Sequence, residues 1–136
     1  MPTPTQIADV EAMLIPWFAA VLSVRAVTWL PADLASVLPI IQVARIGGGS
    51  DDNLPTFDFP TVSIDCFGAD RAGGFALAAS VDAAIRTTLP GTLHTVDAVS
   101  AVVTKTQTVT GPSWRPYDDP SVRRFGATYR LLIRTR

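Results

Sequence analysis

The chain has 136 residues, of which 48% are hydrophobic, and a formal net charge of −1. This length and composition suffice for one hydrophobic core, so we expect a single domain over residues 1–136. The longest apolar run, residues 12–22, contains Pro16 and is far shorter than the ~20 residues of a membrane-spanning helix. No basic segment precedes this run as it would in a secretory signal. We therefore expect an intracellular protein without a membrane partner.

Cysteine and histidine each occur once, as Cys66 and His94. A single cysteine cannot form an internal disulfide, and one cysteine with one histidine cannot build a Cys/His zinc site. We therefore expect no structural zinc, and we expect no other metal or cofactor.

Positive charge is concentrated at the end of the chain. Residues 1–119 carry six basic and twelve acidic side chains, whereas residues 120–136 carry five arginines and no acid. Ten of the eleven basic residues are arginine, which pairs bidentately with carboxylates and phosphates. A coding bias of a GC-rich genome would explain this arginine content equally well, so composition alone does not assign a contact surface.

The first predicted element is a helix over residues 4–22, where apolar side chains recur at steps of three and four. Thr3 is its predicted N-cap, because proline follows it and a glutamine stands three residues later. Residues 23–30 are then consistent with a short strand, and residues 31–37 with a helical turn.

Two strands are predicted next, over residues 39–46 and 60–67. The second has the clearer alternation of apolar and polar residues. The segment between them, residues 47–59, is rich in glycine, aspartate and proline. It is predicted to be either a long loop or an extended hairpin arm.

A second helix is predicted to begin after Asp70 as N-cap and to end at Leu89, before a Pro-Gly pair. Strands are predicted over residues 94–109 and 122–136. In the last strand one face is apolar and the other is rich in arginine, since side chains alternate between the faces of a sheet. The apolar set is Phe125, Ala127, Tyr129, Leu131 and Ile133. We expect an α+β fold, with two main helices on one face of a mainly antiparallel sheet of four to five strands and long hairpin extensions.

Residues 111–125, GPSWRPYDDPSVRRF, are predicted to connect the last two strands as a long projecting hairpin. Trp114, Arg115 and Tyr117 are of the residue types that dominate binding hot spots. The three prolines of the segment stiffen it and lower the entropic cost of docking. Docking on a partner is one reading of this segment, and packing of its rings back on their own sheet is the other.

The sequence contains little that suggests catalysis. His94 is predicted to lie on the surface, and no nucleophile motif accompanies it. Asp118 and Asp119 are adjacent in a loop with arginines nearby, which favours solvation or ion pairing over acid–base chemistry. The GGGS of residues 47–50 lacks the Gly-Lys-Ser/Thr ending of a phosphate loop and is followed by two acids. An enzyme is therefore not expected.

Three segments resemble the tail terminator proteins of long-tailed, siphovirus-type bacteriophages, in particular of phages that infect actinobacteria. They are LPADLASVLPIIQVARIGGGSDD at residues 30–52, FPTVSIDCFGADRAGGFALAASVDAAIRTTLPG at residues 59–91, and GPSWRPYDDPSVRRFGATYRLLIR at residues 111–134. The resemblance implies a small α+β subunit that forms a homohexameric ring on the head-proximal end of the tail tube. This ring would stop tube polymerisation and provide the surface for joining the head.

The resemblance also implies the partners: further copies of the chain, the major tail tube protein, and head-completion or other connector proteins. DNA would pass through the channel of the ring without sequence-specific binding. The expected location is the head–tail junction of the virion, after assembly in the host cytoplasm. No catalytic residue is implied.

A ring of identical subunits joins two different patches of the chain, and opposite charges would set their register. The C-terminal arginines are one candidate patch and the aspartates of residues 51–65 are the other. The candidate contacts with a neighbouring subunit or the tube are Trp114, Arg115, Tyr117, Asp118, Asp119, Arg123, Arg124, Arg130, Arg134, Asp51, Asp52, Asp58 and Asp65.

Two other hypotheses remain open from the sequence. One is a different component of the head–tail connector, such as a head-completion or stopper protein, or a minor tail protein. The other is a nucleic-acid-binding module, which only the arginine-rich end favours and which the acidic remainder opposes.

Overall fold

The structure, a computed structural model, describes residues 4–136. Within these residues, six strands form one sheet in the order β1-β2-β3-β6-β5-β4, and two helices accompany it. The elements are α1 (Val10–Leu22), β1 (Arg25–Val27), a 3₁₀ turn (Leu34–Ser36), β2 (Ile40–Ser50), β3 (Phe57–Gly68), α2 (Arg71–Thr87), β4 (Leu93–Val96), β5 (Val99–Arg115) and β6 (Arg123–Thr135).

The α+β class is confirmed, whereas the predicted strand number is wrong. The sheet has six strands and is mixed, because β1 pairs with β2 in parallel while the other neighbouring pairs are antiparallel. The additional strand arises within residues 94–109, which were predicted as one strand. Asp97 and Ala98 have positive φ angles of 48° and 66° and turn the chain between β4 and β5. Two successive positive φ angles are the geometry of a tight hairpin turn.

The first helix begins later than predicted. Asp9 is the N-cap, and its side chain accepts a hydrogen bond from the amide of Ala12 at 3.2 Å. The apolar pattern extends back to Ile7, but this side chain is 44% exposed and precedes the helix. Thr3, the predicted N-cap, lies outside the described residues. The short strand at β1 and the turn at Leu34–Ser36 fall within the segments predicted for them.

The glycine-rich segment of residues 47–59 is an extended hairpin arm, the second of the two predicted alternatives. Strand β2 continues through the three glycines to Ser50, and β3 begins at Phe57, so the connection is residues 51–56. Gly48 has a φ of +89°, and a side chain there would overlap the backbone of Phe59. The arm therefore depends on glycine at this position.

Both helices pack against one face of the sheet. The apolar face of β6 is buried as predicted, together with the buried residues of α1 and α2. Tyr129 lies at the centre of this core, and its hydroxyl donates to Asp82 on α2 at 2.7 Å. Asp82 also accepts from Arg86 at 2.8 Å, so this network links α2 to the middle of β6.

A smaller cluster covers one end of the opposite face. It consists of Leu34, Ile40, Phe67 and Val122, with Tyr117 packed against it. The rest of that face carries the arginines. The predicted loop at residues 111–125 is therefore largely wrong: β5 continues to Arg115, β6 starts at Arg123, and only residues 116–122 connect them.

Candidate functional site

The surface of the sheet that faces away from the helices is basic at its exposed end. Arg130 and Arg134 of β6 are exposed there, next to Lys105 of β5. A shallow groove of about 220 Å³ lies beside Lys105 and Arg130, and part of its lining is apolar. It is lined by Phe59, Lys105, Gln107, Arg130, Leu131 and Leu132. We call this region the arginine face; a guanidinium beside a partly apolar groove suits a carboxylate carried by another protein.

Arg115 is held within the chain, although its residue type suggested an intermolecular contact. Its guanidinium donates to Asp65 at 2.9 Å and to Ser63 at 3.3 Å. To reach them it crosses β6 at Gly126, where a Cβ atom would collide with both the Arg115 guanidinium and the Asp65 carboxylate. This arginine therefore ties β5 to β3 across the intervening strand.

Tyr117 packs back on its own sheet, as the alternative reading of the loop proposed. Its ring meets Phe67 edge-on at a centroid distance of 5.3 Å. The Arg124 guanidinium lies 5.4 Å from the centre of the Tyr117 ring and donates to the carbonyl of Pro116 at 2.6 Å. These contacts fix the 116–122 connection against the sheet.

Trp114, in contrast, remains 57% exposed. It pairs with Phe125 of β6, and Phe125 in turn meets Phe75 of α2 at 5.9 Å. Phe75 is 46% exposed, so two large aromatic side chains flank one buried ring on the helix side of the sheet. Because Trp114 lies on a strand, it is presented on a rigid base.

The acids of the connection differ in their surroundings. Asp118 is exposed. Asp119 accepts hydrogen bonds from the amide and the hydroxyl of Ser121 at 2.9 and 2.7 Å. These bonds stabilise the charged form and lower the pKa of Asp119. Asp119 therefore shapes the turn that leads to Arg123, which is exposed.

The aspartates of the hairpin arm also differ in whether their carboxylates are paired within the chain or exposed. Asp58 is fully buried, and both its oxygens accept from the Arg45 guanidinium at 2.7 and 2.8 Å. Its carboxylate is therefore already paired inside the chain, and a contact of Asp58 with another subunit stays a prediction. Asp51 accepts from the amides of Asn53 and Leu54 and shapes the tip of the arm. Asp52 is exposed beside it.

Several exposed apolar side chains were not identified from the sequence, among them Trp29, Ile46 and Leu54. Trp29 is 87% exposed in the segment after β1, and Ile46 and Leu54 are 59% and 52% exposed on the hairpin arm. The available signal for Trp29 was its position next to Leu-Pro, where a chain leaves a strand and a large ring has little to pack against.

The remaining titratable groups are internal. His94 was expected on the surface, but it is half-buried and its Nε2 lies 2.7 Å from the Thr92 hydroxyl. Burial lowers the pKa of His94 and raises that of the Cys66 thiol to about 12. In residues 4–136 no three His, Cys, Asp or Glu side chains come together as a metal site would require. Within this part of the chain, neither helix has the length and apolar composition needed to cross a membrane.

Comparison with known proteins bears on these surfaces. No curated protein matches the chain. The model of the phage tail termination protein family, however, matches residues 6–136. The match covers both helices, the six strands and every candidate contact residue. It confirms the resemblance of the three sequence segments to phage tail terminator proteins. The chain therefore belongs to the family of phage tail termination proteins, which have a structural role in the assembly of the tail.

Proposed function

We propose that copies of this chain form a homohexameric ring at the head-proximal end of the tail tube of a siphovirus-type phage. The ring stops tube polymerisation and presents the surface on which the head is joined. The observation that carries this proposal is the family match over residues 6–136, nearly the whole chain. A single domain over residues 1–136 is the unit of the ring.

Two features of the surface support a role in assembly. Trp114 and Phe75 expose aromatic rings on a rigid base, which is typical of hot spots in protein contacts. On the other side of the sheet, the arginine face is basic while the tip of the hairpin arm exposes Asp52. Two different patches of opposite charge suit a heterologous contact that closes into a ring.

The partners follow from this position. Further copies of the chain, the major tail tube protein and a head-completion protein each contact one surface of the ring. DNA passes through the channel without sequence-specific binding, and the arginine face points away from it, since strong phosphate contacts would slow DNA transit. The ring is assembled in the host cytoplasm and remains at the head–tail junction of the virion.

Electron microscopy of particles made without this protein tests the proposal. Loss of a terminator leaves tube growth unchecked, so we expect overlong tails without heads, and complementation with the intact gene restores their length. Tails of normal length that lack heads would instead favour the alternative, a head-completion or stopper protein of the connector. Normal virions would contradict both assignments.

A further inference from the structure

One edge of the sheet is open over a long stretch of β5. Strand β4 pairs with β5 only along Val99–Val102. Val103 bonds outward to the chain before β4, through Gly91 and Thr92. Beyond Val103, no further strand of residues 4–136 pairs with that side of β5. Pro112 lacks an amide hydrogen, so residues 104–111 form the segment that can accept another strand.

The hydrogen bonds between β5 and β6 determine which amides of β5 point to the open edge. Alternate residues of an antiparallel strand bond to opposite sides. Because Val103 bonds outward, its pair with Ile133 is not hydrogen-bonded. The register shifts by one residue at Thr104, so the next pair, Lys105 with Leu132, is hydrogen-bonded. The outward amide of Arg45, followed across β3 and β6 to Thr108, gives the same alternation. The backbone groups of Thr106 and Thr108 therefore point to the open side, whereas those of Gln107 bond to β6. An edge of this length is ordinarily protected, and here Lys105 is the only charged side chain of residues 104–111.

The other edge of the sheet is covered along the first part of β2. Strand β1 covers β2 at Ile40–Gln42. Further along, the carboxylate of Glu11 on α1 accepts the amide hydrogen of Arg45 at 3.0 Å. Residues 46–50, the outer part of the hairpin arm, lie beyond this covered part and are all exposed. The chain thus offers two open strand segments, one on each edge.

The two open segments run antiparallel to each other and lie at the same level along the strand axis of the sheet. From β2 to β3, β6 and β5 every pairing is antiparallel, so β2 and β5 run in opposite directions. One row of the sheet runs from Gly47 through Thr61 and Arg130 to Gln107, and another ends at Ser50 and Val103. Two copies placed edge to edge with one continuous sheet would therefore pair residues 46–49 with residues 105–108, in the antiparallel sense, while Ser50 would lie opposite Val103, whose outward groups are already bonded.

We propose that residues 105–108 of β5 accept residues 46–49 of β2 from a second copy of this chain as an added strand. Main-chain hydrogen bonds provide the contact, and each copy donates with one edge and accepts with the other, as a closed ring requires. The same alignment brings Asp51 and Asp52 of one copy towards Lys105 and Arg134 of the next. That the assembly is a ring on the tail tube rests on the proposed function. That two copies pair through these strands rests on the two open edges of the sheet.

A disulfide between copies tests the register. Gly47 and Gln107 lie in one row and both bond inward, so between copies they would form a close, non-hydrogen-bonded pair. A Cβ at Gly47 meets only Thr61, at 3.9 Å, and Cys66 is buried. Phages lacking the gene are complemented with the G47C/Q107C chain, and purified particles are oxidised. We expect a ladder of covalent multimers on a non-reducing gel from the double variant, and none from either single variant.

Proline substitutions test the backbone contact. Thr106→Pro and Thr108→Pro each remove an amide hydrogen that points to the open edge, while Thr106→Ala and Thr108→Ala keep it. We expect the proline variants to melt near the temperature of the alanine variants and to be absent from particles, whereas the alanine variants are incorporated.

Incorporation of both proline variants at normal tail length would overturn the proposal. So would the absence of cross-linked multimers when the double-cysteine chain is present in particles. If a proline variant does not fold, the cross-linking result of the G47C/Q107C chain alone tests the proposal. The outcome of deleting the gene is independent of these variants, so failure of the strand contact and failure of the proposed function are distinguishable.

Discussion

At the scale of single residues, Gly126 makes room for the ion pair between Arg115 and Asp65. The guanidinium passes over this glycine on its way from β5 to β3. A carboxylate and a guanidinium that are partly buried need each other, since losing the partner leaves a desolvated charge. The ion pair therefore requires glycine at position 126, because any larger side chain would occupy the space of the two charged groups.

We expect Gly126→Ala to destabilise the fold by about 2 kcal/mol, because its methyl group displaces the Arg115 guanidinium. Thermal or urea denaturation measures this loss. Gly111→Ala is the matched control in the same hairpin, since nothing lies within 4 Å of its Cβ position. Equal stability of the two variants would show that the ion pair does not depend on the space at Gly126.

His94 makes the fold sensitive to acid. Burial lowers its pKa below the usual 6.5, so the folded state binds a proton less tightly than the unfolded state does. The contribution of neutral His94 to stability is therefore present above the unfolded pKa of 6.5 and is lost as the pH falls from there through the lowered pKa of the folded state. Between about pH 7.5 and about pH 5.5, we expect the melting temperature of His94→Gln to fall less than that of the natural chain. Identical losses would exclude His94 as a source of the pH dependence.

At the scale of elements, the β5–β6 hairpin separates two aromatic side chains that lie close in sequence. Tyr117 is packed against Phe67, and Trp114 is exposed at the end of β5. Arg115 between them is bound to Asp65. Trp114 is therefore the cleaner probe of docking, because Arg115→Ala would also weaken the fold.

We expect Trp114→Ala to leave the melting temperature nearly unchanged and to weaken attachment to the ring or the tube by about 2 kcal/mol, or about thirtyfold. Competition between the variant and the natural chain for incorporation into particles measures this difference. Trp114→Phe keeps an aromatic ring and should retain most of the attachment. Tails of normal length with efficient incorporation of Trp114→Ala would rule out a hot spot at this position.

The local elements were predictable because their signals are local. Asp70 was identified as the N-cap of α2, and its side chain accepts from the amide of Gly73. The alternation in β6 likewise identified its buried face, from Phe125 to Ile133. Each of these signals spans only a few residues, and a helix cap or a strand face needs nothing more.

The pairings between distant residues were not predictable from one sequence. Arg115 and Asp65 are 50 residues apart, and only the register of three strands brings them together. Asp58 and Arg45 likewise meet only because β2 pairs with β3. The end of β5 was missed for another reason: glycine and proline at 111 and 112 indicated a loop, yet pairing with β6 continues past them, with shifts in register. Tertiary pairing overrode local propensity there.

At the scale of the whole molecule, the small net charge conceals a division into a basic face and an acidic tip. Arg130 and Arg134 lie on the arginine face, and Asp52 lies at the end of the arm. Each of these charges is exposed, so a contact between them contributes modestly to affinity and more to the choice of register.

A charge exchange tests whether these charges meet. We expect Arg134→Asp and Asp52→Arg each to reduce incorporation into particles by about fivefold, roughly 1 kcal/mol per contact. The chain carrying both changes should regain most of the loss, because the attraction is restored with its signs reversed. Additive losses in the double variant would show that the two side chains contact different partners.

The buried thiol of Cys66 gives the natural chain its own reporter of unfolding. With its pKa raised to about 12, almost no thiolate forms at neutral pH, and burial keeps reagents out. A thiol-reactive dye will therefore label the protein only in molecules that have opened. The rate of labelling can be followed in free subunits and in finished particles alike, and the ratio of the two rates gives the protection that assembly confers on the subunit.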